Sequence, residues 1–250
     1  MSIIDKLTGA GAVYTKDHLV LTSGRHSPVY INLRVIAPML RLVDDISYNL
    51  MRVTPAYPNV IVGPETMGRT LAFALAGRKL RSPLALWCNV AGEGENKTAS
   101  WPIKMGFEKI LRPGMTAIVI DDLLTTGSSV KPVVDLLRAS EIEVLGVAVI
   151  VRRNPDVTAE TLGVPELWVL EDVNGGETYA AEDCPMCATG QPLRLRPGHG
   201  WKFAEEHPDH PSVLAAIHRS YPLKRANFPI HTSTSSRQGR RIQNRNTMKL

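Results

Sequence analysis

A buried strand that ends in two adjacent carboxylates and runs at once into a polar turn and a helix leaves a chain few folds to choose from. Residues 117–129 read Ala-Ile-Val-Ile-Asp-Asp-Leu-Leu-Thr-Thr-Gly-Ser-Ser. The four apolar residues, three of them β-branched, make a strand too short for a helix of its own. Such a run is typical of a parallel sheet covered on both faces. Its carboxyl end carries Asp121 and Asp122 to the crest of the sheet, where open α/β folds bind ligands. Thr125 to Ser129 then form a tight turn opening a helix over 130–139, so that several backbone N–H groups and hydroxyls point at one spot. That geometry captures a phosphate, helped by the helix dipole. A carboxylate pair beside a phosphate cradle suits a sugar phosphate, the acids on ribose hydroxyls and the loop on the 5-phosphate. An ordinary capped turn accounts for one acid, not for two followed by a five-residue polar nest.

The remaining sequence extends this unit. A short amphipathic helix is predicted over Ile3 to Val13, and Leu19 to Arg34 reads as a hairpin turning at Ser23-Gly24-Arg25. A helix follows over about 40–53, then a strand at Val60-Ile61-Val62 running into Gly63-Pro64-Glu65-Thr66-Met67-Gly68, and a helix over 69–78. Further strands are predicted at 83–87, 143–151 and 166–170. Residues 88–112, polar and poorly periodic, read as a long loop or a two-stranded flap, and a loop of that length is usually functional. Strands alternating with helices argue for an α/β fold, an open parallel sheet flanked by helices.

Segment 117–129 resembles the 5-phosphoribosyl-1-pyrophosphate (PRPP) loop of type I phosphoribosyltransferases. It is neither a Walker loop nor a dinucleotide fingerprint. Other segments resemble the orotate-specific branch of that family. They are Ser23-Gly24-Arg25-His26-Ser27-Pro28, Gly63 to Gly68, Gly106-Phe107-Glu108 through Gly114, Arg153 at the end of a strand, and Cys184-Pro185-Met186-Cys187. The resemblance covers roughly residues 1–200 and implies a sheet domain with hood elements near 1–35 and 170–200 and a flap at 88–112. A C-terminal extension would occupy 201–230 and a basic tail 231–250.

It further implies transfer of phosphoribosyl from PRPP to orotate, with Mg²⁺ on the diphosphate and a homodimer whose flaps reach a neighbouring subunit. Asp121 and Asp122 would act on the ribose, and PRPP would lie along Leu123, Leu124, Thr125, Thr126, Gly127, Ser128 and Ser129, with Glu65 and Thr66 at the diphosphate. Arg25, His26, Thr125 and Arg153 would receive the base, Arg153 gripping its carboxylate through two parallel bonds. Two other functions fit the same residues: transfer to a different nucleobase, and a PRPP-binding regulatory protein without turnover.

Three features depart from the family pattern or lie outside it. Where orotate enzymes follow the strand at 83–87 with basic residues, this chain reads Trp87-Cys88-Asn89-Val90. The leaving pyrophosphate needs a cation, and Lys104 or Lys97 of the flap is expected to supply it. Arg152 stands where the family has an aspartate. Cys184 and Cys187 form half of a zinc site that His199, His207 or His210 could complete; a reduced pair or a local disulfide are the other readings.

The net charge of +5 belongs to the tail. From His231 onward stand Arg237, Arg240, Arg241, Arg245 and Lys249 without an acid, and the other 24 basic residues balance 24 acidic ones. The charge therefore argues against a nucleic-acid-binding face, leaving only the tail for such a role. Three cysteines make no secreted disulfide framework, and no apolar segment is long enough for a membrane or a signal peptide. The expected location is the cytoplasm.

Overall fold

Apolar side chains alternate between the two faces of each central strand, and that alternation organises the molecule. The computed structural model describes residues 2–220 apart from 22, 56, 80, 82, 94, 95 and 103. The basic segment 231–250 and the end of the 201–230 extension therefore lie outside the described residues. In chain order come α1 (Ile3–Gly9), β1 (Val13–Tyr14), β2 (Leu19–Val20), β3 (His26–Ser27), β4 (Tyr30–Ile31), α2 (Leu40–Val53), β5 (Val60–Pro64) and α3 (Met67–Ala76). They are followed by β6 (Leu84–Ala91), β7 (Thr98–Ser100), β8 (Thr116–Leu124), α4 (Lys131–Ala139), β9 (Glu143–Arg152), α5 (Ala159–Leu162) and β10 (Leu167–Asp172). The short helices α6 (Pro185–Ala188), α7 (Gly200–Glu206) and α8 (Pro211–Ser220) close the described chain.

The main sheet has the order β10-β9-β8-β5-β6-β7, parallel except for β7 at the edge. Ile61, Ile118, Ile120, Ala148 and Ile150 face one side, where Leu7 of α1, Ile46 and Leu50 of α2, and Leu71 and Leu75 of α3 cover them. Val60, Val62, Val119, Val147 and Val149 face the other, beneath Val133, Val134 and Leu137 of α4. With period two in the strands and three or four in the helices, both faces are sealed. Removing a buried isoleucine such as Ile118 would cost about 2–5 kcal/mol.

The chain differs from its predicted elements mainly at their ends. The first helix stops at Gly9 instead of Val13, because Gly11 takes a left-handed turn (φ +70°) and Val13–Tyr14 pairs with Tyr30–Ile31. The helix expected from Arg69 begins at Met67, and the strand expected to end at Trp87 runs on to Ala91, where it pairs with β7 to form the flap. β8 continues through the acid pair to Leu124, so the acids stand within the strand's last residues.

A second, smaller body sits over the sheet's carboxyl edge. The hairpin β2–β3 packs with Leu193, Phe203, Val213 and Ala216 around Val20. The boundary expected at residue 200 thus falls inside one continuous core. Among the described residues no helix is long and apolar enough to cross a membrane.

Candidate active site

The carboxyl ends of β5 and β8 and the hood enclose a cavity of about 590 Å³. Asp121 and Asp122 line it with Ser129, Glu65, Thr66 and Lys97. Asp121 is only 6% exposed. Ser129 Oγ donates to its Oδ2 at 2.8 Å, and the Asp122 amide donates to its Oδ1 at 2.9 Å. Burial, and then the neighbouring Asp122 carboxylate, push the Asp121 pKa well above the usual range. Asp122 is less buried, its Oδ1 accepting from the Leu123 amide at 3.0 Å.

The polar turn lies where the sequence puts it. Gly127 adopts φ +80°, and a Cβ there would meet Leu162 Cδ2 at 2.6 Å, so this position requires glycine. Its carbonyl accepts from the amides of Val130 and Lys131, tying the turn to the start of α4. The turn at 63–68 is tighter still. A Cβ on Gly63 would lie 2.2 Å from the Gly68 carbonyl carbon, and one on Gly68 would lie 2.8 Å from Ile120 O. The close approach sets Glu65 and Thr66 beside the acid pair. Glu65 is paired with Arg69 at 2.6 Å, and the Glu65–Thr66 peptide is cis.

The flap brings in one of its two expected lysines. Lys97 lines the cavity with its Nζ 3.2 Å from Ser128 Oγ, whereas Lys104 is exposed and lines no cavity described here. Where basic residues were missing, Cys88 is fully buried, its thiol pushed up to about 12 by burial and then by Asp121. Trp87 is stacked edge-on against Phe107 at 4.7 Å, fixing the base of the flap. Sequence reasoning missed Asn32 and Arg34, which the hood contributes to the same cavity. Arg34 closes the hairpin segment 19–34, and its charge was the available signal.

A neighbouring cavity of about 360 Å³ is lined by Leu21, Thr125, Arg153, Asn174, Gly175 and Thr178, among others. Arg153 is half-buried, and burial lowers its pKa. A Cβ on Gly175 would meet Arg153 Nε at 2.2 Å, so the glycine makes room for the guanidinium. Arg25 stands at the rim, its Nε donating to Thr178 Oγ1 at 2.9 Å and a second nitrogen to Thr178 O. Arg152, which replaces the family's aspartate, grips Asp172 on β10 with two nitrogens at 2.6 and 3.0 Å. That pairing raises the Arg152 pKa and lowers that of Asp172.

His26 does not join this second cavity, which corrects its assignment to the base. It is fully buried on the hood side of β3, its ring edge-on to Phe203 at 4.8 Å. His26 Nδ1 lies 2.9 Å from His18 Nε2 and 3.3 Å from Cys187 Sγ. His18 Nε2 is 3.8 Å from Cys184 Sγ and 3.6 Å from Cys187 Sγ. The cysteine pair therefore meets His18 and His26, not the histidines expected from sequence. His199 instead lines the acid-pair cavity, and His207 and His210 stack on Phe203 at 4.5 and 5.3 Å. Burial holds His26 near pKa 4, with His18 beside it adding to the effect, and pushes the Cys187 thiol up to about 11.

Comparison with known proteins accords with this geometry. The phosphoribosyl transferase domain family matches residues 32–161, more than half of the sequence. The chain is 32% identical over 201 residues to the orotate phosphoribosyltransferase of Caldanaerobacter subterraneus subsp. tengcongensis, covering 79% of this chain and 95% of that protein. It is 31% identical over 188 residues to the orotate phosphoribosyltransferase of Thermotoga petrophila, covering 74% of this chain and 92% of that protein. In fold it is similar to the crystal structure of orotate phosphoribosyltransferase from Aeropyrum pernix (TM-score 0.54, 24% identity), over 68% of this chain and 93% of that one. With the acid pair, the glycine turn and strands β5 to β9 all inside the matched region, the chain belongs to the phosphoribosyltransferase family.

Proposed function

We propose that the protein transfers the 5-phosphoribosyl group of PRPP to orotate, giving orotidine 5′-monophosphate and pyrophosphate. The observation that carries this reading is the presence of two cavities: one lined by the buried acid pair and Ser129 of the phosphate turn, the other by Thr125 of that same turn and a half-buried arginine, Arg153. Asp121 and Asp122 hold the ribose 2- and 3-hydroxyls and stabilise positive charge growing at C1 as the diphosphate departs. Thr126 to Ser129 take the 5-phosphate at the start of α4. The turn at Glu65 and Thr66 faces the diphosphate, with Lys97 and Arg34 as its cations. Arg153 takes the carboxylate of orotate, which a neutral purine lacks.

Mg²⁺, a hard ion that keeps oxygen ligands, fits the diphosphate oxygens and the Asp122 carboxylate, where it would neutralise leaving-group charge. The flap hairpin, made of the end of β6 beyond Cys88 and β7, closes over the cavity and excludes water, which would otherwise consume PRPP. A homodimer in the cytoplasm completes the reading; exposed Leu40, 76% accessible, and Phe73, 52% accessible, offer apolar surface for a second copy.

The test is the loss of orotate ultraviolet absorbance in the presence of PRPP and Mg²⁺, with the double substitution Asp121→Asn/Asp122→Asn as control. Turnover that the control abolishes is the expected result. Absence of turnover by the native chain overturns the assignment. A PRPP titration of the same sample then distinguishes transfer to another base, or PRPP sensing, from a fold without the site.

A further inference from the structure

We propose that His18, His26, Cys184 and Cys187 bind one zinc ion, which fastens the β2–β3 hairpin to the C-terminal part of the hood. The four ligand atoms all lie within 4.8 Å of one another. In a tetrahedral zinc site the ligand atoms stand about 3.3 Å apart for two nitrogens, about 3.6 Å for nitrogen and sulfur and about 3.8 Å for two sulfurs. The corresponding separations here are 2.9 Å between the two imidazole nitrogens and 3.3 to 3.8 Å from nitrogen to sulfur. Four of the six separations lie within about 0.4 Å of those in the coordination shell.

The donor chemistry selects the ion. Two thiols and two imidazoles are soft to borderline ligands that suit zinc and disfavour magnesium or calcium. Four protein ligands leave no open position, the mark of a structural ion and not a catalytic one. The outer contacts agree. His18 Nδ1 lies 2.9 Å from the Gln191 carbonyl, which only accepts, so the proton sits on Nδ1 and Nε2 offers its lone pair to the cluster. Three of the four residues are buried, and their groups come from segments more than 160 positions apart. A small apolar core that gathers four polar groups must satisfy them together, and a single cation satisfies the four inward atoms, while the outer His26 Nε2 has no hydrogen-bond partner among the described residues.

The position assigns a role. None of the four residues lines the acid-pair cavity or the Arg153 cavity. The ion therefore stands outside the chemistry, yet His26 follows Arg25 directly, and Arg25 is tied to Thr178 at the rim of the Arg153 cavity. Holding β3 fixes the approach to that rim. This assignment rests on the cluster alone and holds whatever base the enzyme accepts.

The experiment uses the full chain, purified in reductant without chelator. Plasma mass spectrometry is expected to find one zinc per chain. Exchange for cobalt(II) should give the intense visible bands of a tetrahedral ion with thiolate charge transfer in the near ultraviolet. Cys184→Ser and His26→Ala should each lose the ion, and chelation should lower the Tm of the native chain, with zinc restoring it. Because either variant can misfold, the cobalt spectrum of the native chain decides independently. An octahedral spectrum, zinc content unchanged in Cys184→Ser, or no uptake by reduced protein incubated with zinc would each overturn the proposal. A Cys184–Cys187 disulfide whose reduction brings no zinc uptake would do the same.

Discussion

Asp121 is held in an environment that opposes its charge, and the consequence can be read in two observables that move in opposite directions. Its folded pKa is raised above 3.8, first by burial and then by Asp122. The native state therefore keeps a proton that the unfolded chain releases, and stability falls as pH rises from the unfolded value through the folded one. Asparagine cannot ionise. Asp121→Asn is thus expected to lower kcat by about 10²–10³-fold and yet to raise Tm relative to the native chain. That gain should grow as pH rises above the unfolded carboxylate value; thermal melts across a pH series check it, and a gain independent of pH rejects the argument. Arg153 makes a simpler case. Arg153→Ala removes a charge-assisted pair of about 1.5–3 kcal/mol, so the KM for orotate should rise about 10- to 100-fold with the KM for PRPP unchanged. The acid pair and its turn were legible because motif, charge and glycine lie within thirteen consecutive residues. His26 and Arg34 were not, since hairpin sequence alone does not say which residue faces the hood core and which the cavity.

At the scale of elements, periodicity carried the helices further than the strand ends. Helix α2 spans Leu40–Val53 as its spacing predicts, with Val43, Ile46, Ser47 and Leu50 on the buried face. β6 runs past Trp87 and β8 past the acid pair because neighbouring strands continue the ladder, which no local pattern records. Of the two flap lysines that the sequence could not order, one lines the acid-pair cavity. Lys97 reaches Ser128 at 3.2 Å and Lys104 stays outside. Steady-state kinetics should show Lys97→Ala losing about 10²-fold in kcat, with Lys104→Ala close to the native rate. The turn after β5 predicts a different kind of damage. Gly63→Ala drives a methyl into the Gly68 backbone at 2.2 Å, where no flexible side chain can yield. Denaturant melts should show about 3 kcal/mol lost or more.

For the whole molecule the sheet and the hood are two bodies of unequal strength. The sheet is sealed on both faces by long apolar runs, while the hood core rests on Val20, Leu193, Phe203, Val213 and Ala216. If the zinc site is filled as proposed, chelation should lower amide hydrogen-exchange protection in β2, β3 and α8 and leave β5, β8 and β9 unchanged. A uniform loss across both bodies would contradict that division. The hood also draws its strands and helices from both ends of the chain: His26 bridges to Tyr179, and Val20 packs against Val213. On a ribosome this sets an order of events. The strands of the sheet emerge and can pair while the hairpin, made first, waits for partners that are made last. Until residues near 213 have left the exit tunnel, a nascent chain can form the strand and turn that carry the acid pair but not the hood core, so the two halves of the molecule are finished at different times.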